Sequence, residues 1–262
     1  MMRELLEQTK LFDTNNYEAN KGSKTGILLI HGFTNTTYEL KKLFNYLTDQ
    51  KYHVILDNLP GHGTSVRDCN STTYYEWIDH VEKRMAYLSS YCDNLYVCGI
   101  SMGALLAMHI SVTFPINGLI SAAPVLEFNK PFKVHILNPL LCHLWQSRLK
   151  RYEFNRGQKI YYGYNKWPLV ALNEVRKLSG YVYKHVLHQI KCPSLLIHSK
   201  EDHTSIFNNY SIMKRYIQAK EISSMIVDKS THNIFDCDIE KDIIQNRINK
   251  FCLLYTSPSP RD

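Results

Sequence analysis

Residues 95–109 constrain this chain more than any other stretch. They read Leu-Tyr-Val-Cys-Gly-Ile-Ser-Met-Gly-Ala-Leu-Leu-Ala-Met-His. An apolar strand runs into Gly99-Ile100-Ser101-Met102-Gly103, and a helix-forming run leaves it. Such a junction puts a serine at the tip of a sharp strand-to-helix turn. Gly99 and Gly103 lack side chains, so helix and strand can pass close on either side of Ser101. The free N–H groups at the helix start favour a negative oxygen there. A bare G-x-S-x-G recurs by chance, and the flanking strand and helix give this one its weight.

The rest of the chain supplies a sheet to hold that turn. Continuous apolar runs at 25–30, 52–56, 95–98, 116–121, 192–198 and 223–227 read as strands, most of them buried on both faces. Helical spacing appears over 37–51 (Leu40, Leu43, Phe44, Leu47), 73–92 (Trp77, Val81, Met85, Leu88), 208–217 and 238–254. Alternating strands and helices predict a mostly parallel sheet covered on both faces. The first 24 residues are expected to hold a short helix, an edge strand near Lys10–Phe12 and a loop.

The rhythm breaks over 126–190. This stretch has no clear buried strand, carries Pro131, Pro139 and Pro168, and includes the aromatic run Tyr161-Tyr162-Gly163-Tyr164-Asn165-Lys166-Trp167. About 60 residues is too long for an ordinary connection, so a helical insertion is expected, with helices near 138–150 and 168–187. Its aromatics either pack it onto the sheet or wall a pocket, and the two readings are compatible. The expected organisation is a first core part, 1–125, a helical cap, 126–190, and a second core part, 191–254. The tail, 255–262, is polar and Pro-rich, is expected to be disordered and reads as a non-native scar.

Composition excludes several classes. At 262 residues, 44% hydrophobic and 21% charged, the chain is an ordinary globular one. There is no apolar run of 18 residues, and the first residues lack an apolar signal segment. The seven Cys form no C-x-x-C pair, which suits small core residues in a reducing, cytoplasmic setting. The formal charge of +7 permits peripheral contact with acidic lipid, and no basic stripe supports nucleic-acid binding. No metal-ligand spacing appears, and no cofactor is expected.

A serine hydroxyl needs a base, and the base needs an acid to orient it. In open α/β sheets, active groups gather past the carboxyl ends of strands. His31, His62, His203 and His232 lie in such places. The chain order Ser, acid, His selects Ser101, Asp202 after the strand at 192–198, and His232 after the strand at 223–227. Glu201 and Asp228 are the rival acids. His203 would share the acid's loop. His31 and His62 precede the serine and read as structural histidines. The expected oxyanion donors are the backbone N–H groups of Met102 and of Phe33, in the loop His31-Gly32-Phe33-Thr34.

With these residues in place, the chain resembles the serine α/β-hydrolases, in particular the carboxylesterase and monoacylglycerol lipase-like branch. The resemblance rests on Leu28-Leu29-Ile30-His31-Gly32-Phe33-Thr34, Leu59-Pro60-Gly61-His62-Gly63, the 99–103 turn with Gly118 downstream, Pro193-Ser194-Leu195-Leu196-Ile197 with Asp202, and Ser230-Thr231-His232-Asn233. It spans about residues 20–254 and is weakest across the cap. It implies the α/β-hydrolase fold, with a small helical cap inserted after the sixth strand of the family's sheet. It implies the triad Ser101, Asp202, His232, with Phe33 and Met102 amides as the oxyanion hole. The acid loop, Ser199-Lys200-Glu201-Asp202-His203-Thr204-Ser205-Ile206, departs from the family's usual Gly, second Asp and following Val-Pro, so a different loop exit is expected. The implied activity is hydrolysis of short- to medium-chain acyl esters or monoacylglycerols through an acyl-enzyme. The alternatives are another acyl class (lysophospholipid, thioester, amide) or acyl transfer on the same triad, and a non-catalytic binding module. A dinucleotide-binding protein is disfavoured, since no G-x-G-x-x-G opens a helix after a strand. Oligomeric state is left open.

Overall fold

The computed structural model describes residues 12–150 and 163–256, with the backbone of 153–155 and 158–160. Its elements in order are β1 (Tyr17–Ala19), β2 (Thr25–Ile30), a 3-10 turn (Thr37–Leu40) running into α1 (Lys41–Asp49), β3 (His53–Leu56), α2 (Val66–Asn70), α3 (Tyr74–Ser89), β4 (Asn94–Ile100), α4 (Met102–Thr113) and β5 (Gly118–Ala122). An insertion follows: a π-type turn (Lys133–Leu137) continuing into α5 (Asn138–Leu141), β6 (Ser147–Leu149), β7 (Glu153–Asn155), β8 (Gln158–Ile160), β9 (Lys166–Pro168) and α6 (Leu169–Tyr181). The core resumes with β10 (Ser194–Ser199), α7 (Asn208–Tyr216), β11 (Ile222–Val227) and α8 (Lys241–Leu254).

The described core strands form one seven-stranded sheet in the order β1-β3-β2-β4-β5-β10-β11. Only β1 runs antiparallel, with Tyr17 opposite Leu56. The period of two along each strand divides the core. Leu28 and Ile30 of β2 pack with Trp77, Met85 and Leu105 on one face. Ile27 and Leu29 pack with Leu43, Leu47 and Ile248 on the other. Helices α3, α4, α6 and α7 thus cover one face, while α1 and α8 cover the other. Helix α4 is buried from Met102 to Ser111, which explains why its sequence is apolar all round.

This is the α/β-hydrolase architecture expected from the sequence, with two differences in detail. The edge strand is Tyr17–Ala19, and Phe12 is not in a strand; the expected early helix and most of the Lys10–Phe12 strand lie outside the described residues. An edge strand needs only one apolar face. Tyr17 and Ala19 meet that need against the α1 side, while Glu18 turns out to His53 Nε2 at 2.9 Å. The insertion is not purely helical. The expected 138–150 helix ends at Leu141, and Ser147–Leu149 instead pairs antiparallel with Lys166–Pro168. That ribbon satisfies backbone groups at a place with no inward apolar stripe to bind a longer helix: all three residues of β6 are exposed. The second expected helix is present as α6. The tail expectation falls mainly on 257–262, outside the described residues. Among the described residues, no helix is long and apolar enough to cross a membrane.

Candidate active site

Ser101 sits between β4 and α4 with φ 58° and ψ −119°, a left-handed conformation that costs a non-glycine residue energy. Surrounding contacts impose it. The Ser101 N–H donates to Ala122 O at 2.9 Å, and its carbonyl accepts from Ala104 N at 3.1 Å. A Cβ on Gly99 would run into the Gly103 backbone, and one on Gly103 would run into the carbonyl of Ile30. The two glycines therefore let α4 start directly against the sheet, with Met102 as its first residue.

Asp202 follows β10 and is buried. Its Oδ1 accepts the N–H groups of Thr204 at 2.8 Å and Ser205 at 2.9 Å. Its Oδ2 lies 2.7 Å from His232 Nδ1. Burial alone would raise its pKa, but the charge and hydrogen bond of His232 and these two amides outweigh burial and hold it below the ordinary value. A carboxylate only accepts, so His232 carries its proton on Nδ1 and presents Nε2 as a base. The loop exit turns back on its own acid through those two amides, and Ser205 Oγ then donates to Pro124 O at 2.5 Å. Of the rival acids, Glu201 is exposed, and Asp228 pairs with Lys200 at 2.8 Å. His203 is exposed as well.

The loop after β2 is pinned from several sides. His31 Nδ1 lies 2.9 Å from Gly32 O, and its Nε2 accepts from Leu59 N at 3.0 Å. This pairing fixes a neutral tautomer with the proton on Nδ1; burial accordingly pulls the His31 pKa down to about 4. Asn35 N also donates to Gly32 O at 3.2 Å. With that carbonyl held from both sides, the N–H of Phe33, trans to it across one planar peptide, points the opposite way. Gly32 packs beside the serine: a Cβ on it would lie 3.1 Å from Ser101 Cβ. His31 is thus the structural histidine that the sequence suggested. His62, also buried, packs against His31 with tilted rings whose centroids are 5.1 Å apart, and burial lowers its pKa to about 3.

Two acids that sequence reasoning did not single out complete the surroundings. Glu39 is buried, accepts Gly32 N at 2.6 Å through Oε2 and accepts Asn35 Nδ2 through Oε1. Burial pushes its pKa up to about 7, opposed by the Gly32 N–H and the charge of His232. Glu240 collects the N–H groups of Asp228, Lys229 and Ser230 at 3.1, 3.2 and 2.7 Å. Ser199 Oγ donates to Ser230 O, so the turn carrying His232 is tied both to the end of β10 and to the start of α8. Neither acid has a motif of its own; a Glu in or beside a helical run looks like any surface residue until the fold is known.

The insertion closes over this loop. Tyr164 N donates to Thr34 O at 2.9 Å, and Lys150 Nζ donates to Thr34 Oγ1 at 2.5 Å. Trp167 stacks on Phe33 with centroids 6.1 Å apart. Gly163 has φ 65°, and a Cβ there would collide with Thr34 O. Tyr164 and Trp167 of the aromatic run therefore pack the insertion down onto the loop after β2. Tyr161 and Tyr162 lie outside the described residues. No group of three or more His, Cys, Asp or Glu suited to a metal occurs among the described residues.

A buried acid, an imidazole with a defined tautomer and a serine on a strained turn meet the chemical needs of nucleophilic acyl transfer. The family model of Hydrolase_4, described as serine aminopeptidase, S33, matches residues 22–238. The chain belongs to this family. Like other Hydrolase_4 relatives it is a serine hydrolase. It is 27% identical over 235 residues to the thermostable monoacylglycerol lipase of Bacillus sp. (strain H-257), covering 86% of this chain and 89% of that one. It is 21% identical over 234 residues to a carboxylesterase of Bacillus subtilis (strain 168), covering 88% and 93%. In fold it matches a structure from work on the metagenome-derived lipolytic enzymes LipS and LipT, with TM-score 0.84, 24% identity and coverage of 92% and 98%. It also matches the monoacylglycerol lipase of Paleococcus ferrophilus, with TM-score 0.76, 16% identity and coverage of 93% and 100%.

Proposed function

We propose that this Hydrolase_4 chain hydrolyses carboxylic esters, with short- to medium-chain acyl esters or monoacylglycerols as substrates. Ser101 attacks the ester carbonyl while His232 Nε2 takes its proton. Asp202 keeps the imidazole in the required tautomer and stabilises its charged form. The Phe33 and Met102 amides receive the developing oxyanion, a contribution of roughly 3–4 kcal/mol for each donor lost. His232 then protonates the leaving alcohol, and a water activated by the same nitrogen releases the acid.

The single observation that carries this reading is the 2.7 Å bond between buried Asp202 and His232 Nδ1. The pairing orients a base, and a binding module has no use for it. The ester rather than amide class is supported by the two relatives, a monoacylglycerol lipase and a carboxylesterase, although the family takes its name from a serine aminopeptidase. Seven free thiols support a reducing, cytoplasmic setting for the reaction.

The test is a panel of p-nitrophenyl esters from acetate to palmitate, with monoacylglycerols, aminoacyl p-nitroanilides and a thioester alongside. Ester turnover peaking at short to medium chains is expected. Faster turnover of the anilides would overturn the ester assignment in favour of the peptidase description. No turnover of any acyl substrate by folded protein would return the chain to the binding-module reading.

A further inference from the structure

The outward side of the insertion is apolar where a water-facing surface is usually polar. Phe132, Ile136, Leu140 and Leu144 recur every four residues along the turn and helix at 133–141 and just beyond it, and all four are exposed, Leu140 by 71% and Leu144 by 76%. Trp145 and Leu149 extend the surface and are 64% and 67% exposed. This is not a loose segment. The opposite side is docked: Val134 packs on the core, Asn138 Nδ2 donates to Leu169 O at 3.0 Å, and Cys142 is buried. A side held by its inner residues and apolar on its outer ones needs an apolar partner.

Charge identifies the partner. From Phe128 to Lys150 the sequence has no Asp or Glu, but it has Lys130, Lys133, Arg148 and Lys150. Lys130, Lys133 and Arg148 are exposed beside the apolar residues. A second copy docking symmetrically would set these cations against themselves. A surface that is apolar inside and anionic outside accepts both features at once, with leucines and tryptophan entering the acyl boundary and lysines and arginine meeting phosphate headgroups.

We propose that the outward side of the insertion, residues 130–149, docks on anionic lipid surfaces. Docking requires no bond to be made or broken and does not rest on the ester reading. It would hold the insertion, and the oxyanion loop that Lys150 and Tyr164 contact, at a lipid interface.

The experiment is vesicle flotation of full-length Ser101→Ala protein, so that no lipid is consumed. The vesicles are phosphatidylcholine alone or phosphatidylcholine with phosphatidylglycerol. Binding is expected only, or far more strongly, with phosphatidylglycerol, and should weaken with salt. Leu140→Glu with Leu144→Glu should reduce partitioning at least about tenfold. Lys133→Glu with Arg148→Glu should remove the preference for anionic lipid. All four positions are exposed, and unchanged thermal midpoints would verify folding. Equal binding of parent and Leu variants, or no binding to anionic vesicles, would overturn the proposal. So would self-association in sedimentation velocity that the Leu substitutions abolish, which would assign the surface to a second copy. Wild-type turnover of a soluble butyrate ester should be the same with and without the Leu substitutions, separating failure of this proposal from failure of the ester reading.

Discussion

The cluster at the sheet's carboxyl edge and the insertion above it are built on opposite plans. The cluster is over-determined. Gly32 alone is held through its N–H by Glu39 and through its carbonyl by His31 and Asn35, and Asp202 accepts three hydrogen bonds. The insertion meets the loop after β2 through Thr34, touched by Lys150 and Tyr164, and through Trp167 stacked on Phe33, and it leaves large apolar residues in water. The contrast suggests a division of labour: the sheet edge holds atoms still for chemistry, and the insertion decides what reaches them. Substitutions in the two regions should therefore separate effects on kcat from effects on KM.

The largest effect belongs to the cluster. Asp202→Asn should lower kcat by roughly 10⁴-fold with KM nearly unchanged, because the amide no longer selects the Nδ1–H tautomer. Steady-state kinetics on a soluble ester check this; a loss in KM alone would break the comparison.

Glu39→Gln sharpens it through pH. Burial raises the folded pKa of Glu39 to about 7 from 4.5. Between those values the folded chain keeps a proton that the unfolded chain has released, so this group's contribution to stability falls as pH rises through the window. The Gln variant lacks that fall. Its stability relative to the parent should improve between about pH 5 and about pH 8, by at most ~3 kcal/mol, as read from denaturant midpoints. A stability difference that does not vary with pH would contradict the assigned burial. Asp202 acts in the opposite sense: its depressed pKa contributes stability above its unfolded value, and that contribution is lost as pH falls through the folded one.

The smallest effect is expected at the junction. Gly163→Ala adds a Cβ where Thr34 O stands, at positive φ. The contact should shift at a cost of about 1–2 kcal/mol. KM should rise severalfold, with kcat changed less. A fall in kcat alone would mean that the insertion helps to hold the loop after β2 during chemistry.

The same contrast explains what the sequence made legible. The strands at 25–30, 95–100 and 194–199 are buried on both faces, so their composition announces them. Ser101, Asp202 and His232 stand at strand ends, where topology limits the choices. Glu39 and Glu240 are not legible, because their partners, backbone amides with Asn35 and the Ser230 hydroxyl, come near only in the folded chain. The edge strand at 17–19 and the ribbon 147–149 with 166–168 were missed for another reason: one-faced or exposed pairs carry little hydrophobic pattern. The acid loop shows the middle case, its acid identifiable from position while its path, closed by Thr204 and Ser205 amides, was not.

The proposed mechanism stands on Ser101 as the nucleophile. Intact-mass analysis after treatment with a fluorophosphonate, followed by peptide mapping, tests it most directly. One adduct per chain is expected, on Ser101, absent from Ser101→Ala and much slower in Asp202→Asn. An adduct on another residue, or none on folded protein, would contradict it.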